Sequence, residues 1–228
     1  MSPRPRTVAD ADIFAAAYRV MSRVGPTRLT LAAIAKEAGL APATLVQRFG
    51  SKRGLLLTLS SGAAEFVDQC FATVRTEHIS PLDALVAAAT VMTQITTTPE
   101  EMANHLAYLQ IDITDPDFHR HIFDHTQRTV NGYRALLDDA VAAGELAPCD
   151  TTRLALAVSS VAGGSLLSWA ILREGSSLDW VRRDLATLLD PYRVTATSAS
   201  TAMPIARNVV SSGAARGRQS PRLPTRRG

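Results

Sequence analysis

Four polar side chains able to bind nucleic acid lie close together in the first quarter of this 228-residue chain: Thr44, Gln47, Arg48 and Lys52. The guanidinium of Arg48 matches a guanine edge or a phosphate, and the amide of Gln47 can bind adenine or a phosphate. Ala43 and Val46 offer apolar contacts to thymine methyl groups. These residue types indicate noncovalent recognition of DNA, with Arg48 as the best candidate for a base or phosphate contact.

Three histidines form a second cluster, in the pattern H-R-H-x-x-x-H. On a helix His121 and His125 would share one face, four residues apart, which is a spacing that can hold a metal ion. The helix of zinc proteases also needs a glutamate beside the first histidine, and here Arg120 and Ile122 occupy the neighbouring positions. Surface or pocket-lining histidines are therefore the favoured interpretation, and no metal site is predicted.

Other arrangements typical of catalysis are missing from the sequence. The adjacent pairs Asp138-Asp139 and Glu100-Glu101 would diverge on a helix, which makes them poor general acid-base partners. The chain has no nucleophile elbow, phosphate-binding loop or dinucleotide fingerprint. Cys70 and Cys149 have no paired spacing and are expected to be reduced thiols. We predict a protein that is not an enzyme and that needs no cofactor.

A helix-turn-helix is the element predicted to position the DNA-binding side chains. Thr30 is a favourable N-cap residue, and apolar residues follow it at helical spacing. Gly39 stands where that helix should stop, and Pro42 falls in the first turn of the next helix. Leu45 and Phe49 share the face of this second helix that packs on the first, which leaves its polar face free to enter a major groove.

This segment resembles the DNA-binding domain of the TetR family of bacterial transcriptional regulators. The matching pieces are LTLAAIAKEAGL, ATLVQRF and GSKRGLL, and the likeness covers roughly residues 7–67. The resemblance implies that Thr44 and Lys52 contact phosphates. Three residues depart from the family's usual choices, since Ala41 replaces a capping Ser, Val46 a Tyr and Arg53 a Glu. The predicted DNA-binding residues are Thr30, Ala43, Thr44, Val46, Gln47, Arg48 and Lys52.

The net charge of +3 conceals an uneven distribution along the chain. Residues 1–53 hold nine basic and three acidic side chains, whereas residues 54–191 hold eight basic and eighteen acidic ones. Residues 192–228 add seven arginines and no acid. A basic N-terminal part beside an acidic body places the surface for a polyanion at the helix-turn-helix.

The rest of the chain is predicted to be helical, because no segment shows the strict alternation of a half-buried strand. A first helix over residues 9–24 precedes the helix-turn-helix and ends at Gly25-Pro26. A long helix begins after the N-cap Ser51 and ends near Glu77. The helices predicted in the body cover residues 81–97, 99–114, 116–143, 150–173 and 178–189.

Residues 154–172 carry no charge, and this length approaches the about 20 residues that span a bilayer. Four serines and the pair Gly163-Gly164 lie inside the segment, and an acidic amphipathic body surrounds it. We therefore favour a helix buried on most sides over a membrane helix, and we predict no membrane partner.

The resemblance also implies a homodimer, because in the TetR family the last two long helices pair with their twofold-related copies in a four-helix bundle. Small residues from Ala162 to Ser165 would let a partner helix approach closely. The predicted interface residues are Leu154, Val158, Val161, Gly164, Leu167, Trp180 and Leu185.

An effector pocket is predicted within the body, although methionine and aromatic residues at helical spacing are more often part of a core. The polar groups that would orient a ligand do not stand out in the sequence. The candidate lining residues are Met92, Ile95, Met102, His105, Leu106, Leu109, Phe118, Phe123, Tyr133 and Trp169.

We therefore predict an all-α protein with an N-terminal three-helix helix-turn-helix domain and a C-terminal helical ligand-binding and dimerisation domain. The predicted divisions are a disordered basic arm (1–6), the DNA-binding domain (7–67), the effector-binding and dimerisation domain (68–191) and a disordered basic tail (192–228).

The predicted function is that of a homodimeric repressor in the bacterial cytoplasm, associated with the nucleoid and released from a palindromic operator by a small molecule. The alternatives are an activator of the same family, an architectural protein that binds DNA without sequence preference, and a helical enzyme with an appended nucleic-acid module.

Overall fold

The computed structural model describes residues 8–94 and 96–194, and only the backbone of Met92. This part of the chain is built from helices, which confirms the predicted all-α class. Its α-helices are α1 (Asp10–Arg28), α2 (Leu31–Glu37), α3 (Pro42–Phe49), α4 (Lys52–Glu77), α5 (Pro81–Ala89), α6 (Pro99–Thr114), α7 (Pro116–Ala142), α8 (Thr151–Leu172) and α9 (Ser177–Leu189).

The helices at the N-terminus begin and end where local sequence dictates. Gly25 has a φ of +74°, a value that glycine adopts without strain, so the regular part of α1 ends there as predicted and one further turn follows. The Thr30 hydroxyl accepts a hydrogen bond from the Ala33 amide at 3.1 Å and caps α2. Ala41 provides no capping side chain, and Pro42 fills the first turn of α3.

A first hydrophobic core joins α1 to α4 and also takes side chains from later helices. Its fully buried members include Ile13, Ile34, Leu45 and Leu55. Tyr108 of α6 and Phe118 of α7 complete this core, with ring centroids 6.4 Å apart in an edge-to-face arrangement. The domain boundary at residue 67 stays a prediction, and α4 runs through it without a break.

A second core lies among α5, α7, α8 and α9. Its fully buried members include Leu85, Leu136, Leu137, Val158, Leu185 and Leu189. Ser165 of α8 donates a hydrogen bond to Asp184 of α9 at 2.7 Å and so fixes the register of these two helices.

The predicted single helix over residues 81–97 is wrong, because α5 ends at Ala89 and a 3-10 turn follows over Val91–Gln94. The Thr90 hydroxyl donates to the Val86 carbonyl at 2.9 Å, and threonine side chains that bond to the backbone compete with helix continuation. Thr98 then caps α6 in a reciprocal arrangement with Glu101.

The prediction that residues 154–172 are buried on most sides is also wrong. One face of α8 lies in the second core, whereas the opposite face is exposed. By length and composition Thr151–Leu172 could cross a membrane, with a mean hydropathy of 1.7, but helices α7 and α9 cover its buried face. We interpret α8 as a core helix with one free apolar side.

The described chain continues three residues beyond the predicted limit at Pro191. Tyr192 accepts a hydrogen bond from the Ala147 amide at 2.8 Å, and Val194 donates one to the Glu145 carbonyl at 3.1 Å. These backbone bonds hold residues 192–194 against the turn after α7, so the predicted disorder does not begin at Tyr192. The predicted arm (1–6) and the remainder of the predicted tail (195–228) lie outside the described residues.

Candidate nucleic-acid interface

The recognition helix α3 is anchored through one face and open on the other. Leu45 is fully buried, and the Phe49 ring lies 5.9 Å from the Phe14 ring of α1, measured between centroids. Ala43, Val46 and Gln47 point away from this contact and are exposed. Because these three positions are three and four residues apart, they form one outward face on the helix.

Arg48 does not lie on this outward face. Its guanidinium donates a hydrogen bond to the Val8 carbonyl at 2.8 Å and pairs with the Asp10 carboxylate, both at the start of α1. It also lies over the Phe49 ring, 5.8 Å from the centroid. The residue that the sequence favoured most for DNA contact is therefore engaged within the protein.

The other predicted polar contacts are also partly used inside the module. The Lys52 ammonium donates to the Pro26 carbonyl at 2.8 Å, and the Thr30 hydroxyl caps α2. Thr44 is half-buried. Of the seven predicted DNA-binding residues, only Ala43, Val46 and Gln47 are exposed without a side-chain hydrogen bond to another described residue.

Lys36 is an exposed basic residue that the sequence analysis did not select. It lies in the last turn of α2, and it has no ion pair among the residues that the structure describes. A basic side chain on the solvent side of the first helix of a helix-turn-helix was the available signal, and it marks Lys36 as a further candidate for a phosphate contact.

Ion pairs neutralise much of the positive charge of the N-terminal part. Arg19 and Arg23 of α1 hold the Glu37 carboxylate of α2 at 2.9 and 2.6 Å. These two hydrogen bonds lower the pKa of Glu37. These ion pairs hold α1 against α2. They also occupy two arginines that would otherwise be free to contact a polyanion.

Arg53 connects the start of α4 with the turn between α6 and α7. Its guanidinium lies 2.8 Å from the Asp115 carboxylate and 3.0 Å from that of Asp117, and it stacks 5.3 Å from the centroid of the Phe118 ring. Arg53 therefore explains one departure from the family's usual residues, because an acidic side chain here would face two carboxylates.

The sequence pattern of the bacterial regulatory proteins of the tetR family matches residues 13–59, which include the helix-turn-helix and the start of α4. Residues 13–59 are a DNA-binding domain of the TetR family. This match extends from α1 into α4, in agreement with the resemblance seen in the sequence, and it supports a DNA-binding transcriptional regulator.

Solved structures share the fold over most of this chain. The TetR transcriptional regulator SCO0520 from Streptomyces coelicolor is 24% identical, with a TM-score of 0.64 over 82% of this chain and 100% of that one. A TetR transcription regulator from Haloarcula marismortui is 18% identical, with a TM-score of 0.66 over 81% and 98%. A transcriptional regulator from Saccharomonospora viridis, in complex with choline, is 21% identical, with a TM-score of 0.66 over 82% and 97%. No curated protein matches the chain in sequence.

The residues predicted to line an effector pocket do not surround one cavity. Met102 and Tyr133 are buried in the second core, and Leu106 packs against it. Trp169 is buried beside the loop after α8, where its indole N–H donates to the Gly175 carbonyl at 3.1 Å. Leu109 is half-buried on α6.

Two of the predicted pocket residues are placed elsewhere. Phe118 belongs to the first core, and Phe123 is 58% exposed, so neither borders a cavity described here, and their place in a pocket stays a prediction. Apolar residues at helical spacing outnumber those that can line one cavity. Spacing alone therefore cannot distinguish pocket-lining residues from core residues. The side chain of Met92 and the whole of Ile95 lie outside the described residues.

His105 of α6 is the predicted pocket residue that borders a cavity. The cavity is about 10 Å³, and Tyr18 and Ser22 of α1 also line it. Burial lowers the pKa of His105, and the neighbouring His125 lowers it further. Burial also lowers the pKa of His125, so burial favours the neutral form of both imidazoles.

A larger groove lies at the surface between α4 and α7, and it contains none of the predicted pocket residues. Its volume is about 480 Å³, and Phe71, Arg75 and Arg128 contribute to its walls. Both arginines are paired, Arg75 with Asp139 and Arg128 with Asp68, so the charge of the groove is largely neutralised.

The predicted dimer interface is only partly exposed. Leu154, Val158 and Leu185 are at most 4% exposed because they fill the second core, so they present little surface to a partner, and their place in an interface stays a prediction. Val161 and Trp180 are half-buried, whereas Gly164 and Leu167 are exposed. The exposed face of α8 is an uncharged stripe, called here the α8 stripe: Leu156, Ser160, Gly163, Gly164, Leu167 and Ile171.

Proposed function

We propose that this TetR-family regulator is a homodimeric repressor that binds an inverted-repeat operator and is released by a small-molecule effector. The observation that carries the DNA-binding proposal is the outward face of α3. Ala43, Val46 and Gln47 are free there, while Arg48 and Lys52 are tied to the surrounding backbone. A recognition helix held in this way can enter a major groove without rearranging the module.

The α8 stripe supports the homodimer. It contains three large apolar side chains, Leu156 (54% exposed), Leu167 (40%) and Ile171 (70%), and it has no charged residue. A β-carbon built on Gly163 or Gly164 would meet no atom within 4 Å, so a second helix could approach the backbone closely at these positions. Exposed apolar surface of this kind is typical of a protein interface.

Dimerisation determines the geometry of the operator. Two recognition helices related by a twofold axis fit successive major grooves when they are about 34–36 Å apart, and the DNA then presents an inverted repeat. Contacts to phosphates release counterions, so affinity should fall steeply as salt concentration rises.

Effector release requires a connection between the body and the helix-turn-helix. Tyr108 and Phe118 belong to the first core although they lie on α6 and α7, and Arg53 pairs with the turn between those helices. A ligand that binds near His105 and displaces the side chains around it would move both helices. It could weaken DNA binding only by its difference in affinity for the two arrangements.

Two other functions remain as alternatives. An activator would use the same face of α3, and expression of the regulated gene would then fall, rather than rise, when this protein is deleted. An architectural protein would bind DNA without a preferred sequence. The free amide of Gln47, a base-reading group at the centre of the outward face, favours the sequence-specific proteins. A cytoplasmic location, on the nucleoid, follows from the proposal.

Selection of bound duplexes from a random pool tests the proposal. We expect the full chain to enrich an inverted repeat, and we expect binding to that repeat to survive an excess of random competitor DNA. Failure to enrich any sequence, with equal affinity for all duplexes, would contradict a regulator of specific genes and favour the architectural alternative.

A further inference from the structure

We propose that Gln47, flanked by Ala43 and Val46, reads A·T pairs in each half-site, and that Arg48 is a positioning residue that holds α3 against the start of α1. This inference rests on the proposed DNA binding and specifies which side chains determine the operator.

The outward face of α3 determines the chemistry of base reading. Gln47 is exposed and makes no side-chain hydrogen bond to another described residue, so both its amide donor and its acceptor are available. A glutamine amide pairs in two places with the major-groove edge of adenine. Ala43, one turn earlier, and Val46, 50% exposed, add apolar surface that suits the methyl group of thymine.

Arg48 would read guanine if its guanidinium were free, because an arginine fork matches the two acceptors on the guanine edge. In this protein two nitrogens of the fork are occupied by different partners, the Val8 carbonyl and the Asp10 carboxylate. Val8 lies just before α1, and Asp10 is the first residue of that helix. A guanine contact would therefore have to replace both bonds and leave the Asp10 carboxylate without its cation.

The bonds of Arg48 have a direct effect on its neighbour in the sequence. They add a polar tie between α1 and the last turn of α3, close to the Phe14–Phe49 contact. Because Gln47 lies in the same turn, the tie restricts the rotation and tilt of α3 that would move the Gln47 amide away from a base edge. Arg48 thus acts on DNA binding through Gln47.

Variants of the full chain separate a positioning role from a reading role, since the two roles predict opposite effects for Asp10→Asn. If Arg48 positions α3, Asp10→Asn weakens binding to the selected operator and leaves the selected sequence unchanged. If Arg48 reads guanine, Asp10→Asn releases the guanidinium and tightens binding. Asp12→Asn is the matched control, because Asp12 is an exposed carboxylate in the same first turn with no ion pair among the described residues.

Selection from random duplexes and affinity measurements are then made on the wild type, Gln47→Ala, Asp10→Asn and Arg48→Lys. We expect the wild type to select A·T pairs in each half-site, and we expect Gln47→Ala to lose about tenfold or more in affinity for that operator but little for random DNA. Arg48→Lys should keep the selected sequence and part of the affinity, because an ammonium can still reach one of the two partners.

The inference is wrong if the wild type selects a guanine whose preference disappears in Arg48→Lys, or if Asp10→Asn binds more tightly than Asp12→Asn. Either result would leave the proposed repressor function intact. If the wild type selects no sequence at all, the proposed function itself fails. Thermal melting of each variant shows whether a loss of binding reflects unfolding, and Asp10→Asn, which keeps the shape of the side chain, is the variant on which the decision rests.

Discussion

The outward faces of α3 and α8 are both exposed, but different interactions surround them. Around α3, polar side chains bond to backbone carbonyls and carboxylates of neighbouring helices, as Arg48 and Lys52 do. Along α8 the exposed stripe is apolar or small and carries no charge. A face that must read hydrogen-bonding groups needs side chains in fixed directions, whereas a face that must exclude water needs only shape and apolar area.

The difference implies that the two faces respond to different changes. A single charge on the α8 stripe should prevent dimerisation. Substitutions near α3 should instead shift the side chains that contact DNA and leave dimerisation unaffected.

Leu167→Arg should convert the proposed dimer into monomers. The substitution places two unpaired charges in an apolar interface, at a cost of about 3–5 kcal/mol or more. Affinity for an inverted repeat should then fall about 100-fold or more at nanomolar protein concentration, because each half-site would be bound separately. Sedimentation velocity measures the mass, and fluorescence anisotropy measures binding to DNA.

Ile79→Arg is the control for this charge. Ile79 is fully exposed and lies outside the α8 stripe, so the variant should remain dimeric and bind DNA like the wild type. If Leu167→Arg also remains dimeric, the α8 stripe is not the dimer interface, and its proposed difference in role from the outward face of α3 is contradicted.

Asp112→Asn should stabilise the protein at high pH. Asp112 of α6 is 7% exposed, close to Tyr18 of α1 and Tyr108, and burial raises its pKa from 3.8 to about 6. The ionised carboxylate is therefore disfavoured in the folded state. The protonated carboxyl group contributes stability that is fully present below pH 3.8 and is lost as the pH rises through about 6, so the wild type carries the full penalty above pH 6.

We expect the Asn variant to exceed the wild type by about 2 kcal/mol in unfolding free energy at pH 8, and the difference should shrink towards pH 4. Urea unfolding at several pH values measures both. A difference that is independent of pH would show that Asp112 does not titrate at the contact between α1 and α6. The stability of the contact between α1 and α6 would then not depend on pH.

Thr30→Ala should lower the stability of α2 by about 1 kcal/mol, because the Ala33 amide loses the hydroxyl that accepts its hydrogen bond. Hydrogen exchange of the α2 amides should become faster, while exchange in α8 stays unchanged. Thr27→Ala is the matched control, since Thr27 is exposed and its hydroxyl makes no hydrogen bond to another described residue. Equal acceleration in both variants would show that the cap does not hold α2.

The helix-turn-helix could be predicted closely from the sequence because local signals fix it. Caps at Thr30 and Ser51, the turn at Gly39 and the proline at Pro42 are each determined by a few neighbouring residues, and the structure has helices beginning and ending at these positions. The direction of the Arg48 side chain could not be predicted, because it depends on Asp10, which is 38 residues away in the chain.

The interior of the body was less predictable, for a related reason. Periodicity identified α8 and α9, but it could not distinguish the face of α8 that packs on its own chain from the face left free. Val158 and Leu167 both fit the helical spacing of apolar residues in α8, yet Val158 is fully buried and Leu167 is 40% exposed. Phe118 likewise lies in the first core, because the turn between α6 and α7 lies against Arg53.

A DNase footprint on the DNA that flanks its own gene, with an excess of random competitor, shows whether the protein binds a specific sequence as a dimer. We expect protection of an inverted repeat whose two half-sites are centred about 34–36 Å apart, one helical turn. The protection should be lost in Leu167→Arg and retained in Ile79→Arg. Uniform protection that the competitor abolishes would contradict the account and identify a DNA-binding protein without sequence preference.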